Sequence, residues 1–268
     1  VWTISVANGM IQILAALFSD DLWTLCAYLL VGQLFLAGLS YWICTVSLEA
    51  FHLFPIHDIR PLLHATLPFA ALTVLLVLSQ RLGVLSVSFL LNDSSTGLFS
   101  SVARVVDGLK LGHYAVLGAL LPVISRGTRT AEQSFRSGFG LLMGLSLFMA
   151  IGLSLSPRVV ILILYGDDFS PAMGLLGILG WSLLPYTISS FISYDLIARG
   201  KELTLVKAAT VSLSVFLGFY LWLISMCGLN GAIYATLAGE VFQAVIFIYF
   251  GQRSRTTIPT ITTEESLK

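Results

Sequence analysis

The sequence predicts an all-α fold, a polytopic membrane helix bundle, and three observations carry that prediction. Of the 268 residues, 57% are hydrophobic and only 10% are charged, against about 25% charged in soluble domains. A water-soluble fold of this size could not cover its surface with so few charges. The apolar residues also fall in long continuous runs, near the roughly 20 residues a helix needs to cross the hydrocarbon core. Membrane β-strands would be shorter, alternating segments. Finally, the basic residues collect in every second connection, the pattern that fixes membrane orientation.

Eight runs serve as spans: 4–18, 22–46, 66–91, 97–121, 139–156, 172–197, 203–224 and 231–250. The first is short. The chain opens on Val1 and enters an apolar run at once, with no charged leader and no small-residue cleavage site. The expectation is that this chain is the C-terminal portion of a longer protein.

One set of connections holds Arg60, then Arg126, Arg129 and Arg136, then Arg199, Lys201 and Lys207, then Arg253, Arg255 and Lys268; these are ten of the fourteen Lys and Arg. The alternate connections hold Asp20-Asp21, Asn92-Asp93, Asp167-Asp168 and the turn 227–230, with Arg158 their only basic residue. Eight spans with both ends cytoplasmic fit this alternation, which places the C-terminus in the cytoplasm. The stretch 47–64 mixes Phe51, Leu53 and Phe54 with His52, His57, Asp58 and Arg60, and two prolines interrupt it. It reads as a cytoplasmic connector at the interface and a hinge between two bundles.

A faint internal repeat supports two bundles. Leu22, Leu30, Gly32 and Phe35 align with Leu229, Leu237, Gly239 and Phe242, and Gln33 faces Glu240. Chance would account for such common residues. A true repeat would make 22–46 and 231–250 the closing helices of two equivalent lobes, as in transporters built from parallel repeats. The division is then 1–46, the last two helices of an N-terminal lobe; 47–64, the connector; 65–250, a six-helix C-terminal lobe; and 251–268, a cytoplasmic tail. Four further spans would precede Val1, giving twelve.

Five ionisable residues fall inside spans: Arg81, Arg104, Asp107, Lys110 and Glu240. Each costs at least about 2.5–3.5 kcal/mol at a helix centre, so such residues face a cavity or one another. Arg81 lies eleven residues before Asn92 and Arg104 eleven after Asp93. At about 1.5 Å per residue, both sit roughly 16 Å deep on consecutive antiparallel helices. Arg104, Asp107 and Lys110 recur at i, i+3 and i+6, which suggests one side of their helix, with His113 extending it. A structural reading has Asp107 neutralising Arg104 or Lys110. A functional reading notes three cations against one acid, an excess that calls for water or an anionic ligand. Pyrophosphate is such a ligand, and arginine suits it. Arg81, Arg104 and Lys110 are thus the candidate substrate-binding residues. Asp107 and Glu240 are candidates for charge balance or ion coupling; Glu240 is either a proton or cation site or the partner of an arginine. Asp195, beside Arg199, reads as half of a surface ion pair.

No enzyme, metal or cofactor signature is present. No Gly-rich phosphate loop suggests ATP hydrolysis, and Cys26, Cys44 and Cys227 show no metal spacing and read as small core residues. Zero net charge gives no basic face for nucleic acid. Polar residues in membrane spans suggest transport driven by a gradient.

Three phrases carry a resemblance. Thr96-Gly97-Leu98-Phe99-Ser100-Ser101 resembles the Gly-Leu-Tyr-Ser-Ala-Ala phrase of bacterial polysaccharide flippases. Tyr165-Gly166-Asp167-Asp168-Phe169-Ser170-Pro171-Ala172 resembles their Phe-Gly-Glu-x-Phe-x-x-Ala turn. Residues 228–236, Gly-Leu-Asn-Gly-Ala-Ile-Tyr-Ala-Thr, resemble the phrase opening their last helix. In order and spacing the chain is similar to the Wzx-type flippases of the multidrug/oligosaccharidyl-lipid/polysaccharide transporter superfamily, over roughly residues 60–250 and more weakly over 1–46. The resemblance implies two six-helix lobes about a cationic cavity. It also implies translocation of a lipid-pyrophosphate-linked glycan across the cytoplasmic membrane, with other polysaccharide-assembly proteins as partners. The alternatives are an ion-coupled drug or cation antiporter of the same superfamily, which would prefer acidic cavity residues, and a non-transporting membrane fragment.

Overall fold

A computed structural model describes residues 10–11, 21–47, 59–124 and 129–256. The run 4–18 apart from two residues, positions 48–58 of the expected connector, Arg126 and the tail from 257 lie outside the described residues. Among the described residues all regular structure is helical, as a bilayer requires of a chain whose backbone groups must pair internally. The chain divides into two compact units, Val1–Pro61 and Leu62–Lys268.

The first unit contains α1, Leu22–Ser47. Its 26 residues reach about 39 Å, enough to span a bilayer. Gly32 and Leu36 are buried, whereas Tyr28, Leu34 and Phe35 are exposed. Trp23 and Trp42, both exposed, stand near opposite ends, where indole rings suit the headgroup boundary.

The second unit begins along α2, Ile59–Leu90, and continues with α3, Asp93–Ile124, and α4, Arg129–Leu155. These helices begin before their apolar runs: α2 absorbs residues 59–64 of the expected connector and α4 starts ten residues before Phe139. Hydropathy marks only the part of a helix inside hydrocarbon, and Pro61 is tolerated because first-turn amides have no helical partner. Between α2 and α3 the chain turns in two residues. Asn92 Oδ1 accepts the Ser95 amide at 2.8 Å, capping α3, and Asp93 opposes the positive end of its dipole.

After α4 come α5, Pro157–Tyr165, and a 3₁₀ turn, Asp167–Phe169. Then α6, Ala172–Leu179, runs through a 3₁₀ segment, Gly180–Ser182, into α7, Leu183–Ala198. Together they form one 27-residue span, 61% of whose apolar window is buried inside the protein against 22% for each of the three other long apolar helices. It is the central helix and packs on α3 and α4.

The last element, α8, Glu202–Thr256, folds back on itself at Gly228, whose backbone is non-helical (φ 56°, ψ −132°). In a straight helix Tyr220 and Thr236 would stand about 24 Å apart. Instead their hydroxyls are 2.9 Å apart, and Gly239 lies under the Phe216 ring. Arms 202–227 and 229–256 are therefore two antiparallel spans, matching the predicted runs 203–224 and 231–250. A backbone conformation of this kind is open essentially to glycine alone. Three residues on, Gly231 meets the Leu223 carbonyl so closely that any Cβ would collide with it.

These features establish the predicted all-α, multi-pass membrane bundle. Its core has an apolar layer around Val87, Phe99, Val102 and Leu176, towards the Asp93 end of α3. A second layer, Leu72, Leu205, Ala208 and Phe247, joins α2 to both arms of α8. Cys26 and Cys227 are exposed and do not fill the core as expected.

Candidate functional site

Between those layers the second unit holds a polar pocket. Lys110, on α3, extends across to the returning arm of α8, where its Nζ donates to Glu240 Oε1 at 3.0 Å. Asp107, one turn back on α3, places Oδ1 3.8 Å from the same ammonium. The Lys110 and Glu240 side chains are only 12% and 9% exposed, whereas Asp107 is 46% exposed. Below the ammonium lies the Tyr186 ring of α7, its centroid 4.5 Å away, a cation–π contact. A carboxylate and an ammonium taken this far from water need each other, since either alone would carry a large desolvation penalty.

The cavity beside the pair encloses about 90 Å³. Ser79 and Gln80 of α2, Tyr114 of α3, Ser182 before α7, and Tyr220, Thr236 and Gln243 of α8 add further polar groups to its wall. Gln80 donates to the Tyr114 hydroxyl at 3.0 Å. Such a volume holds a few water molecules or an ion and is far smaller than a sugar chain. Glu240 Oε1 is engaged by Lys110; Oε2 is buried with no hydrogen-bond partner among the described residues. The lining carries two carboxylates and one ammonium, a formal charge of −1.

This arrangement corrects the expected cationic face. Three residues of α-helix turn 300°, so each i+3 step falls 60° short of a full turn. Arg104 and Lys110 thus diverge by about 120°, and the structure sends them to different places. Arg104 is exposed and lines a separate groove between α3, α4 and α5. Arg81 is exposed on α2 and does not line the Lys110 pocket. Neither arginine forms an ion pair among the described residues. The partner of Glu240 is a lysine, not an arginine.

His113 does not extend the face either. It is 2% exposed, with Nε2 2.7 Å from Ser146 Oγ and 3.0 Å from Thr187 Oγ1, tying α3 to α4 and α7. Asp195 pairs with Arg199 at 2.8 Å as expected, although the aspartate is buried and only the arginine is at the surface. Among the described residues no three His, Cys, Asp or Glu side chains gather as a metal site would require. Tyr186, Tyr220 and Gln80 were not legible before the structure, because single aromatic or amide residues in an apolar run look alike until packing groups them.

Comparison with known proteins bears on the same region. Residues 2–174 match the family described as polysaccharide biosynthesis protein. The match takes in Asp107 and Lys110 and stops within α6, before Tyr186 and Glu240. No curated protein and no solved structure matches the chain. With well over half of its length matched, the chain, a multi-pass membrane helix bundle, belongs to the polysaccharide biosynthesis protein family.

Proposed function

We propose that the protein moves a lipid-pyrophosphate-linked oligosaccharide across the cytoplasmic membrane, with its C-terminus in the cytoplasm, by alternating access. The observation that carries the reading is the buried Lys110–Glu240 pair beside a water-sized cavity, inside a membrane bundle of a polysaccharide biosynthesis family. Lys110 is the cation of this pocket and Glu240 its resident anion. A phosphate oxygen of the substrate competes with Glu240 for the ammonium. Glu240, once released, has both oxygens uncompensated and takes up a proton or a cation, which links substrate movement to a gradient. With Glu240 neutralised in this way, Asp107, half exposed, balances Lys110, so that an anion binds without being trapped. The glycan, too large for the pocket, stays outside it, and the lipid tail stays in the bilayer.

A second reading, a cation-coupled antiporter, is favoured by the acid excess of the pocket. One experiment separates the two. Vesicles holding the purified protein and a fluorescent lipid-pyrophosphate oligosaccharide are tested for lectin access to the far leaflet. Faster exposure than in protein-free vesicles, slowed by Lys110→Met, is expected for the flippase. Cation flux with no glycan movement would replace it with the antiporter.

A further inference from the structure

Arg104 has no role in the pocket just described, and its surroundings suggest another. It lines an open groove of about 540 Å³ whose wall is otherwise apolar or uncharged, including Leu109, Phe148, Met149, Val160 and Leu164. It is the only charged residue there and has no ion-pair partner among the described residues. The rim is exposed and apolar: Phe148 and Leu164 of the wall are 71% and 58% exposed, and the neighbouring Ile163 is 77% exposed. Glycines open the groove, since a Cβ at Gly108 or Gly152 would meet nothing within 4 Å.

The depth of the charge follows from helix geometry. Side chains lean towards the N-terminus of their helix, which for α3 is the Asp93 end. Arg104 shares the groove with Gly152 and Ser156, at the end of α4, while His113 meets Ser146. The two helices α3 and α4 therefore run antiparallel, and that end lies towards Asp93. The guanidinium thus reaches from mid-helix towards one leaflet boundary, as membrane arginines do when they snorkel.

The geometry points to a site for an anionic phospholipid of the leaflet at the Asp93 end, its phosphate on Arg104 and an acyl chain along the groove past Gly108. Charge complementarity selects the occupant. A neutral tail alone would leave the arginine uncompensated, and a soluble anion would leave the apolar wall uncovered. The inference does not depend on the transport reading, because its readout is lipid retention.

The test places the purified protein in nanodiscs of equal phosphatidylglycerol and phosphatidylcholine, extracts it gently and quantifies the lipid retained. Phosphatidylglycerol should be enriched about fivefold, the factor that one basic residue near a membrane surface is worth. Arg104→Gln should abolish the enrichment, Arg104→Lys should keep most of it, and Arg81→Gln, outside the groove, should change nothing. Gly108→Leu and Gly152→Leu should each reduce retention of both lipids while leaving the charge in place, with unchanged melting temperature as the check on folding. Equal retention of the two lipids by the wild type would overturn the proposal, as would enrichment surviving Arg104→Gln. Displacement by an equimolar polyprenyl phosphate, also lost in Arg104→Gln, would give the groove to a carrier lipid and likewise overturn it.

Discussion

Replacing Lys110 by Met tests whether the ion pair is an energetic unit. The substitution leaves Glu240, 9% exposed, with no cation within reach among the described residues. Breaking one side of a buried pair costs about 3–5 kcal/mol, mostly the price of the stranded charge. At roughly 2–4 °C per kcal/mol for a chain of this size, the melting temperature in detergent should fall by at least about 6 °C. Glu240→Gln should cost less, because Lys110 keeps Asp107 at 3.8 Å, although that acid is half exposed and screened. The double variant Lys110→Met, Glu240→Gln removes both charges and should be more stable than Lys110→Met alone, a coupling of about 1–3 kcal/mol in a double-mutant cycle. Additive losses, or a Lys110→Met protein melting within about 2 °C of wild type, would refute the reasoning. The same double variant then separates roles. Recovered stability with lost glycan translocation makes the pair part of the mechanism, whereas recovered translocation makes it structural.

Three further outcomes are expected. Gly228→Ala should destabilise the α8 hairpin by about 1–3 kcal/mol, because a side chain cannot adopt its backbone conformation without strain; Gly231→Ala should be worse, since its Cβ strikes the Leu223 carbonyl, and both are read from thermal unfolding and abundance. His113→Ala removes two hydrogen bonds that tie α3 to α4 and α7, although Ser146 and Thr187 keep each other and the Leu142 and Leu183 carbonyls; it should cost about 1–3 kcal/mol by the same measurement. Cysteines placed at Ser94 and Asp168 should react with an impermeant reagent from outside intact cells, and one at Lys201 only after permeabilisation; the reverse pattern would overturn the orientation drawn from the charges.

Much of the fold was legible in the sequence, and the reason is physical. A bilayer imposes length and hydropathy on every span, so the α8 hairpin could be read as two runs even though the helical backbone is interrupted only at Gly228. Helix ends were less legible. The first turns of α2 and α4 lie at or beyond the hydrocarbon edge, where hydropathy has no grip. The site was half legible. That Lys110 and Glu240 would need partners follows from their cost in a membrane. That they would choose each other, 130 positions apart, depends on how α8 folds back. The i+3 spacing misled because it was treated as one face when it is a slow spiral, which carries Arg104 to the groove, Asp107 and Lys110 to the pocket, and His113 into the buried seam with α4 and α7.

That spiral gives α3 a division of labour. A membrane helix pays for each ionisable side chain, and α3 resolves the cost differently for its cations. Lys110 is compensated inside the protein by two acids, so its charge is available only to a ligand able to outcompete Glu240. Arg104 has no ion-pair partner among the described residues, and in the proposed lipid site its charge is met from the bilayer. Exchanging the two residue types would carry a cost in both places, the smaller one at position 104. An arginine at position 110 would press a larger planar guanidinium against the Tyr186 ring and into a cavity of about 90 Å³. A lysine at position 104 would keep the charge but lose the fork that grips a phosphate from two sides. The choice of Lys inside and Arg outside therefore follows from the space and partners each position offers, and in the proposed transport cycle it makes the interior charge the one that can be switched.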